Sequence, residues 1–292
     1  MQLNGVTIKD TFAEAFSLYG TRIIITAINR EWALEAARSV TGFATSIIGC
    51  GCEAGIEGEL DDTPDGRPGV SVLVFSVSPG ELEKQLIARL GQSIMTCPTT
   101  ACYNGLPAAD RLQVGGKIRF FGDGWQASKV VGETRYWRIP VMDGEFVVEE
   151  SFGYCRGVGG GNFLILAETQ EAALTAATRA VAAMGRVPGV ILPFPGGVVR
   201  SGSKVGSRYK FLTASTNTPY CPTLAGRVES DLPPKVNCVL EIVIDGLTLE
   251  AVEEATRVGI RAACLPGVVE ITAGNYGGKL GKYQIQLQRV LG

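Results

Sequence analysis

The sequence predicts an α+β protein of two tandem ferredoxin-like (split βαβ) lobes, over residues 1–145 and 146–292. In each half, a strand–helix–strand pattern is visible as apolar residues at strand spacing followed by apolar residues at helical spacing. Four helices begin at recognisable capping residues. Asp143-Gly144 indicates a tight hairpin, and we place the junction of the lobes near it. This order of elements is typical of a split βαβ fold, with helices on one side of an antiparallel sheet.

In the first half, two helices are well marked. Asn29 is a predicted N-cap, and Gly42 ends the helix that follows it. Ser78 and Glu81 form a capping box around Pro79, the first helical residue. Segments rich in β-branched and aromatic residues predict the strands, at residues 22–27, 43–48, 70–77, 117–121, 135–141 and 145–149.

The second half repeats the plan. Thr169 is the predicted N-cap of one helix and Thr248 that of another, which Pro266-Gly267 ends. The predicted strands are residues 162–167, 190–192, 238–244, 268–272 and 282–288. The likeness between the halves lies in the order of elements.

Charge and hydropathy exclude several classes of partner. The chain has 27 basic and 29 acidic residues, a net charge of −2, so it lacks the excess of basic residues expected of a nucleic-acid-binding protein. Its N-terminus has neither the basic region nor the apolar core of a signal peptide. No apolar run approaches the roughly 18 residues that span a bilayer. We therefore expect a soluble cytoplasmic protein with no nucleic-acid or membrane partner.

Cysteine and histidine usage restricts the chemistry. The chain has eight cysteines, no C-x-x-C pair and no histidine, which leaves few ligand patterns for a metal, and we predict none. Free thiols in a reducing compartment are the expected state of the cysteines. Any proton transfer must use a group other than imidazole.

Two glycine-rich segments do not fit nucleotide-binding motifs. Residues 157–161 (GVGGG) precede a predicted strand instead of joining a strand to a helix. Residues 197–204 have Ser203 where a phosphate loop needs lysine, and no helix follows.

Three loops of the second half concentrate glycine with small polar residues: 193–207, 213–217 and 272–282. Glycine lets a ligand approach the backbone, so these loops indicate a site for a polar ligand. Ordinary turn formation is the alternative explanation.

Glu241 is the most informative carboxylate. In residues 239–245 (VLEIVID), Leu240, Ile242 and Ile244 share one strand face, and Glu241 lies on the other. If that face is covered, burial raises the pKa of Glu241 and suits it to proton transfer. If the face is open to solvent, Glu241 is only a polar strand residue.

Longer segments together identify a family. They are DTFAEAF (10–16), TPDGRPG (63–69), CPTT (97–100), PFPGGVVRSGSKVGS (193–207), VLEIVIDG (239–246) and ITAGNYGGKLGKY (271–283). In combination they resemble formylmethanofuran:tetrahydromethanopterin formyltransferase, and the resemblance runs from Leu3 to the C-terminus.

The resemblance implies reversible transfer of a formyl group between the amine of methanofuran and N5 of tetrahydromethanopterin. These two coenzymes are the substrates, and no metal or prosthetic group takes part. The resemblance also implies two ferredoxin-like lobes, a homotetramer arranged as a dimer of dimers, and an active site at a subunit interface. It assigns proton transfer to Glu241.

This chemistry suggests roles for residues of the three loops. An oxyanion develops during acyl transfer and needs preorganised hydrogen-bond donors. The candidate substrate-binding residues, which would supply such donors or attract the anionic parts of the coenzymes, are Gly196, Gly197, Ser201, Ser203, Lys204, Asn217, Asn275 and Lys279.

The chain departs from the family in carrying Gln284, Gln286 and Gln288 where family members have histidine nearby, so no histidine role applies. Residues 42–57 and 135–150 are more similar to the branch in formaldehyde-oxidising bacteria, in which the enzyme resembles a subunit of a formyltransferase/hydrolase complex. Formylmethanofuran hydrolase or dehydrogenase subunits are therefore candidate partners. Two alternatives stay open: an amidohydrolase that releases formate from formylmethanofuran, and a non-catalytic ligand-sensing protein.

Overall fold

The computed structural model describes residues 1–292 and contains eighteen strands and seven α-helices. The strands up to the hairpin are β1 (Gln2–Leu3), β2 (Val6–Ile8), β3 (Phe12–Thr26), β4 (Glu53–Leu60), β5 (Gly69–Ser76), β6 (Ala101–Asn104), β7 (Arg111–Leu112), β8 (Ala127–Val131), β9 (Thr134–Val141) and β10 (Gly144–Glu149). Those that follow are β11 (Phe152–Gly153), β12 (Cys155–Ala167), β13 (Val190–Ile191), β14 (Lys204–Val205), β15 (Ala214–Ser215), β16 (Cys238–Gly246), β17 (Val268–Thr272) and β18 (Tyr283–Gln286). The helices are α1 (Arg30–Thr41), α2 (Ile47–Cys50), α3 (Pro79–Arg89), α4 (Gly115–Ile118), α5 (Gln170–Met184), α6 (Leu249–Ala263) and α7 (Leu287–Leu291).

The four predicted helix starts are confirmed. Asn29, Ser78, Thr169 and Thr248 each accept a hydrogen bond from the backbone N–H three residues later, over 3.0–3.2 Å. Each side chain thereby satisfies one of the N–H groups that a helix leaves unpaired at its start. None of the seven helices has both the length and the apolar composition that a membrane crossing requires.

The predicted α+β class is confirmed, and the two halves share one strand order. In the first half the order is β4-β5-β3-β6, and in the second it is β13-β16-β12-β17. All neighbours within these two sets are antiparallel. Helices α1 and α3 cover one face of the first set, and α5 and α6 cover one face of the second.

The halves are joined into one large sheet by β3 and β12. The start of β3 pairs with β18, its middle with β12, and its end with β5 and β6. Consequently Val6, Ile8 and Ala13 pack in the core of the second half, whereas Phe146 and Phe152 pack in the core of the first.

Two predicted strands are wrong. Residues 43–46 form a turn that leads into α2, which begins at Ile47, and Phe43 is 79% exposed. The strand position beside β5 belongs to β4 instead, whose glutamates and glycines give little strand signal. Gly55 in β4 lies so close to Ile191 that a Cβ would come within 2.8 Å of its side chain.

The second wrong strand, residues 117–121, forms the end of α4 and the 3-10 turn Arg119–Gly122. Short apolar runs do not distinguish strand from helix, and here the Arg119 guanidinium packs on the Trp137 ring, 4.4 Å from its centroid. The last predicted strand ends at Gln286, where α7 begins and buries Leu287 and Leu291.

Candidate active site

A cavity of about 550 Å³ lies over the face of the second-half sheet that the helices leave uncovered. Side chains from β3, β16 and the end of β17 line it, together with the long connection between β13 and β16. Five predicted site residues line this cavity: Ser203, Lys204, Asn217, Glu241 and Asn275.

Glu241 lies in β16 opposite Leu164 of β12. On the other edge of the strand its backbone pairs with Val199, through N–H···O bonds of 2.9 and 2.7 Å. The alternation of β16 turns Ile242 and Ile244 into the core and Glu241 toward the cavity. Burial without a compensating charge raises the pKa of Glu241 to about 7. The carboxyl group can therefore gain or lose a proton near neutral pH.

A smaller cavity of about 40 Å³ also reaches Glu241. Ser201, Asn217 and Tyr220 line it, and Asn217 and Tyr220 also line the main cavity, so Ser201 reaches Glu241 through this smaller space. Burial, together with Asp231, raises the pKa of Tyr220, whose hydroxyl therefore stays protonated.

The loop between β17 and β18 forms another wall. Its Asn275 donates hydrogen bonds to Thr11 Oγ1 (3.2 Å) and to the Phe12 carbonyl (3.1 Å), so this amide holds the loop to the chain before β3. The next residue, Tyr276, lines the cavity with its ring 6.4 Å from that of Phe16.

Lys204 supplies positive charge to the cavity. It lies in the short β14–β15 hairpin, where its ammonium group donates to Ser215 Oγ at 3.0 Å. Lys9 also lines the cavity. These two lysines are the cationic side chains among the lining residues, and each can pair with an anionic group of a ligand.

Comparison with known proteins identifies the family. Residues 1–141 match the family model described as formylmethanofuran-tetrahydromethanopterin formyltransferase, and residues 144–290 match the model of its proximal lobe. A formyltransferase of that name from Methylobacillus flagellatus is 58% identical, over 100% of both chains. The chain belongs to the formylmethanofuran–tetrahydromethanopterin formyltransferase family.

Solved structures agree with this assignment. The formyltransferase from Methanosarcina barkeri superposes with a TM-score of 0.95 at 48% identity, covering 99% of this chain and 100% of that one. A chain of the formyltransferase/hydrolase complex from Methylorubrum extorquens, solved with methylofuran, superposes with a TM-score of 0.97 at 52% identity, covering 100% and 99%. The resemblance inferred from sequence segments is thus confirmed over the whole chain.

Three predicted binding residues of this formyltransferase-family chain line neither of the two cavities. Gly196 and Gly197 form a 3-10 turn, and Gly197 packs so closely on Val181 that an added Cβ would approach it to 2.9 Å. Lys279 is exposed and lines neither cavity. Gly197 therefore allows close packing against α5.

The same cavity contains carboxyl groups that the sequence interpretation missed. Glu14 lines it and is 1% exposed. Glu53 also lines it and lies beside Asp245, a fully buried carboxyl that accepts from the Gly160 N–H at 2.9 Å. Burial and the neighbouring Glu53 raise the pKa of Asp245, and burial also raises that of Glu53. Asp245 shares its strand face with Glu241, and that alternation was the available signal.

The described residues contain no group of three or more Cys, Asp or Glu side chains arranged to hold a metal ion. All eight cysteines are free thiols, and Cys52, Cys102 and Cys264 are buried.

Proposed function

We propose that this protein transfers a formyl group reversibly between formylmethanofuran and N5 of tetrahydromethanopterin, with Glu241 as the proton-transfer group. The observation that carries the proposal is a carboxyl group with a pKa of about 7 in the wall of a polar cavity, in a chain of the formyltransferase family.

The proposed reaction needs one group that both accepts and donates a proton. The pterin N5 amine attacks the formamide carbon, the new C–N bond forms, and the carbonyl electrons move onto oxygen. Glu241 takes the proton from the attacking nitrogen and returns it to the methanofuran nitrogen as the old C–N bond breaks. A carboxyl whose pKa lies near the working pH serves both steps efficiently.

We assign binding roles to the predicted residues that line the two cavities. Ser201, Ser203 and Asn217 carry hydroxyl and amide donors suited to the oxyanion. Lys204, with Lys9, would attract the anionic portions of the coenzymes. Asn275 holds the loop that closes one wall.

The deciding experiment mixes purified protein with formylmethanofuran and tetrahydromethanopterin and follows the 5-formyl product. Transfer supports the proposal, and its absence overturns it. The amidohydrolase alternative predicts formate release when the pterin is omitted. A non-catalytic ligand-sensing protein would bind a coenzyme without turnover.

We also propose that the halves are two ferredoxin-like lobes, over residues 1–145 and 146–292. The support is the shared antiparallel strand order and the two family models, which meet near residue 142. The two large separate cores support two lobes, each of which takes some core residues from the other span of the chain.

For assembly we propose a homotetramer, and formylmethanofuran hydrolase subunits as further partners in the cytoplasm. The similar chain in the formyltransferase/hydrolase complex supports the proposed hydrolase partners. Eight free cysteines suit a reducing compartment. Light scattering of the purified chain, alone and with hydrolase subunits, measures both assemblies.

A further inference from the structure

Glu14 lies beneath the loop of residues 274–281, which forms one wall of the cavity. Its neighbours in β3, Ala13 and Ala15, pack in the core of the second half, so the alternation of the strand turns Glu14 to the opposite face. The side chain is 1% exposed. A carboxylate at this depth needs strong hydrogen-bond partners to remain charged.

The backbone of the loop provides four such partners. Glu14 Oε2 accepts from the N–H groups of Tyr276 (2.7 Å) and Gly278 (2.9 Å). Glu14 Oε1 accepts from those of Leu280 (2.5 Å) and Gly281. Although burial alone would raise the pKa of Glu14, these four bonds hold it below its usual value. Glu14 is therefore a fixed negative charge around which the loop is folded.

The glycines of the loop fit this arrangement. Gly277 and Gly278 have φ values of 70° and 72°, which side-chain-bearing residues adopt at a cost. A Cβ on Gly281 would lie 2.6 Å from the Ala15 carbonyl and from Glu14 Cγ. The glycines thus let successive N–H groups converge on one carboxylate.

Tyr276 is the aromatic residue that this loop presents to the cavity. Its N–H is bonded to Glu14, its ring lies near Phe16, and it lines the same cavity as Glu241. Burial and the carboxylates of Glu241 and Glu14 raise the pKa of Tyr276. The phenol therefore stays protonated and can donate a hydrogen bond to a bound ligand.

We propose that Tyr276 donates a hydrogen bond to the formyl oxygen during transfer, and that Glu14 is the positioning residue that holds Tyr276 in place through the loop. This rests on the proposed formyl transfer. Since the carboxylate is the only acceptor for four backbone donors, Glu14→Gln places an NH₂ group against two of them. The loop then loses its fixed position, while the packing of the core beneath it is unchanged.

The test is a double-mutant cycle on kcat, with Glu14→Gln, Tyr276→Phe, the double variant and Glu254→Gln. Glu254 is a control because its pKa is also lowered, but by Arg257 on the surface of α6. We expect Tyr276→Phe to lower kcat about 10²-fold and Glu14→Gln to lower it by about 10–100-fold. The double variant should be no more than about threefold slower than Tyr276→Phe, because Glu14 acts through Tyr276.

Hydrogen exchange of residues 274–282 gives a readout that does not depend on activity. Glu14→Gln should speed exchange in this loop and leave α6 unchanged. If that variant does not fold, Gly277→Ala replaces it, because an added Cβ there meets no atom within 4 Å and strains only the loop backbone. In the Tyr276→Phe background, Gly277→Ala should likewise cause only a small further loss of kcat.

Multiplicative losses in the double variant, or unchanged kcat in either single variant, would overturn this proposal while leaving formyl transfer intact. Absence of transfer by the wild-type protein would instead overturn the proposed function, and this role with it.

Discussion

Strands β5 and β16 occupy the same place in the strand orders of the two halves, but they differ in what covers their second face. Every residue of β5 is buried. Val72 and Val74 pack in the core beneath the first-half helices, whereas Leu73 and Phe75 pack against Ile191 and other residues of the second half. Both faces of β5 are therefore used for stability.

One face of β16 is likewise apolar, with Ile242 and Ile244 in the second core. On its other face, Glu241 and Val243 line the cavity, and Asp245 is buried beside Glu53 of the first half. The shared strand order thus does not determine where a site forms. The site forms where loops of the second half, together with Ser46 and Glu53 of the first, enclose space beside a carboxylate instead of packing against the sheet.

The largest difference between the two strands should appear when Glu241 is replaced. Glu241→Gln keeps the shape of the side chain but cannot take up the proton, so we expect kcat for formyl transfer to fall by about 10²–10⁴-fold. Steady-state kinetics with both coenzymes measures the loss, and circular dichroism checks the fold. The matched control is Glu133→Gln, at an exposed glutamate in the turn between β8 and β9. Turnover within a factor of two of wild type would remove Glu241 from the mechanism.

The converse substitution in β5 should affect stability alone. Leu73 is fully buried between the halves, so Leu73→Ala should lower the free energy of unfolding by about 2–5 kcal/mol through lost burial and a cavity. The value of kcat per folded molecule should not change, because Leu73 does not line the active-site cavity. Urea unfolding with parallel assays measures both quantities. A large loss of kcat in the folded variant would mean that β5 also shapes the site.

The same comparison shows what the sequence could reveal. Strand alternation was sufficient to turn Glu241 away from the core, and local capping signals located four helix starts. Each of these patterns is contained within a few neighbouring residues. Elements whose pattern is local were therefore predictable.

Glu14 was not predictable from its neighbours. Its hydrogen-bond partners lie more than 260 residues away in sequence, and an acid between two alanines gives no local signal. Strand β4 was missed for a related reason. Ile191 of the other half lies too close to Gly55 to allow a side chain there, and this contact is not visible in the local sequence. Long-range packing determines both features, and a single sequence does not display it.

Burial of Glu241 also predicts a pH dependence that β5, with no carboxylate, cannot contribute. The pKa of Glu241 is about 7 in the folded protein and near its ordinary value of 4.5 in the unfolded chain. Between these values the folded state retains a proton that the unfolded state has released, so the free energy of unfolding falls as pH rises. This contribution approaches about 1.4 kcal/mol per pH unit within the window and is constant above it.

The difference in unfolding free energy between wild type and Glu241→Gln isolates this contribution, because all other carboxyl groups are present in both proteins. Relative to the variant, the wild type should lose stability from about pH 4.5 to 7 and then level off. A difference that stays constant from pH 5 to 8 would show that Glu241 titrates normally.

The smallest expected effect concerns the helix N-caps, which both halves contain. Asn29 in the first half and Thr248 in the second each accept one hydrogen bond from the first turn of the following helix. Asn29→Ala and Thr248→Ala should each lower the free energy of unfolding by about 1 kcal/mol, because one N–H loses its partner. Neither change should alter kcat, since neither residue lines the cavity. Thermal unfolding of the two variants measures the losses side by side. If only one variant lost stability, the two caps would not contribute equally to the free energy of unfolding. The halves would then share an order of strands and helices without sharing the contribution of their helix caps to stability.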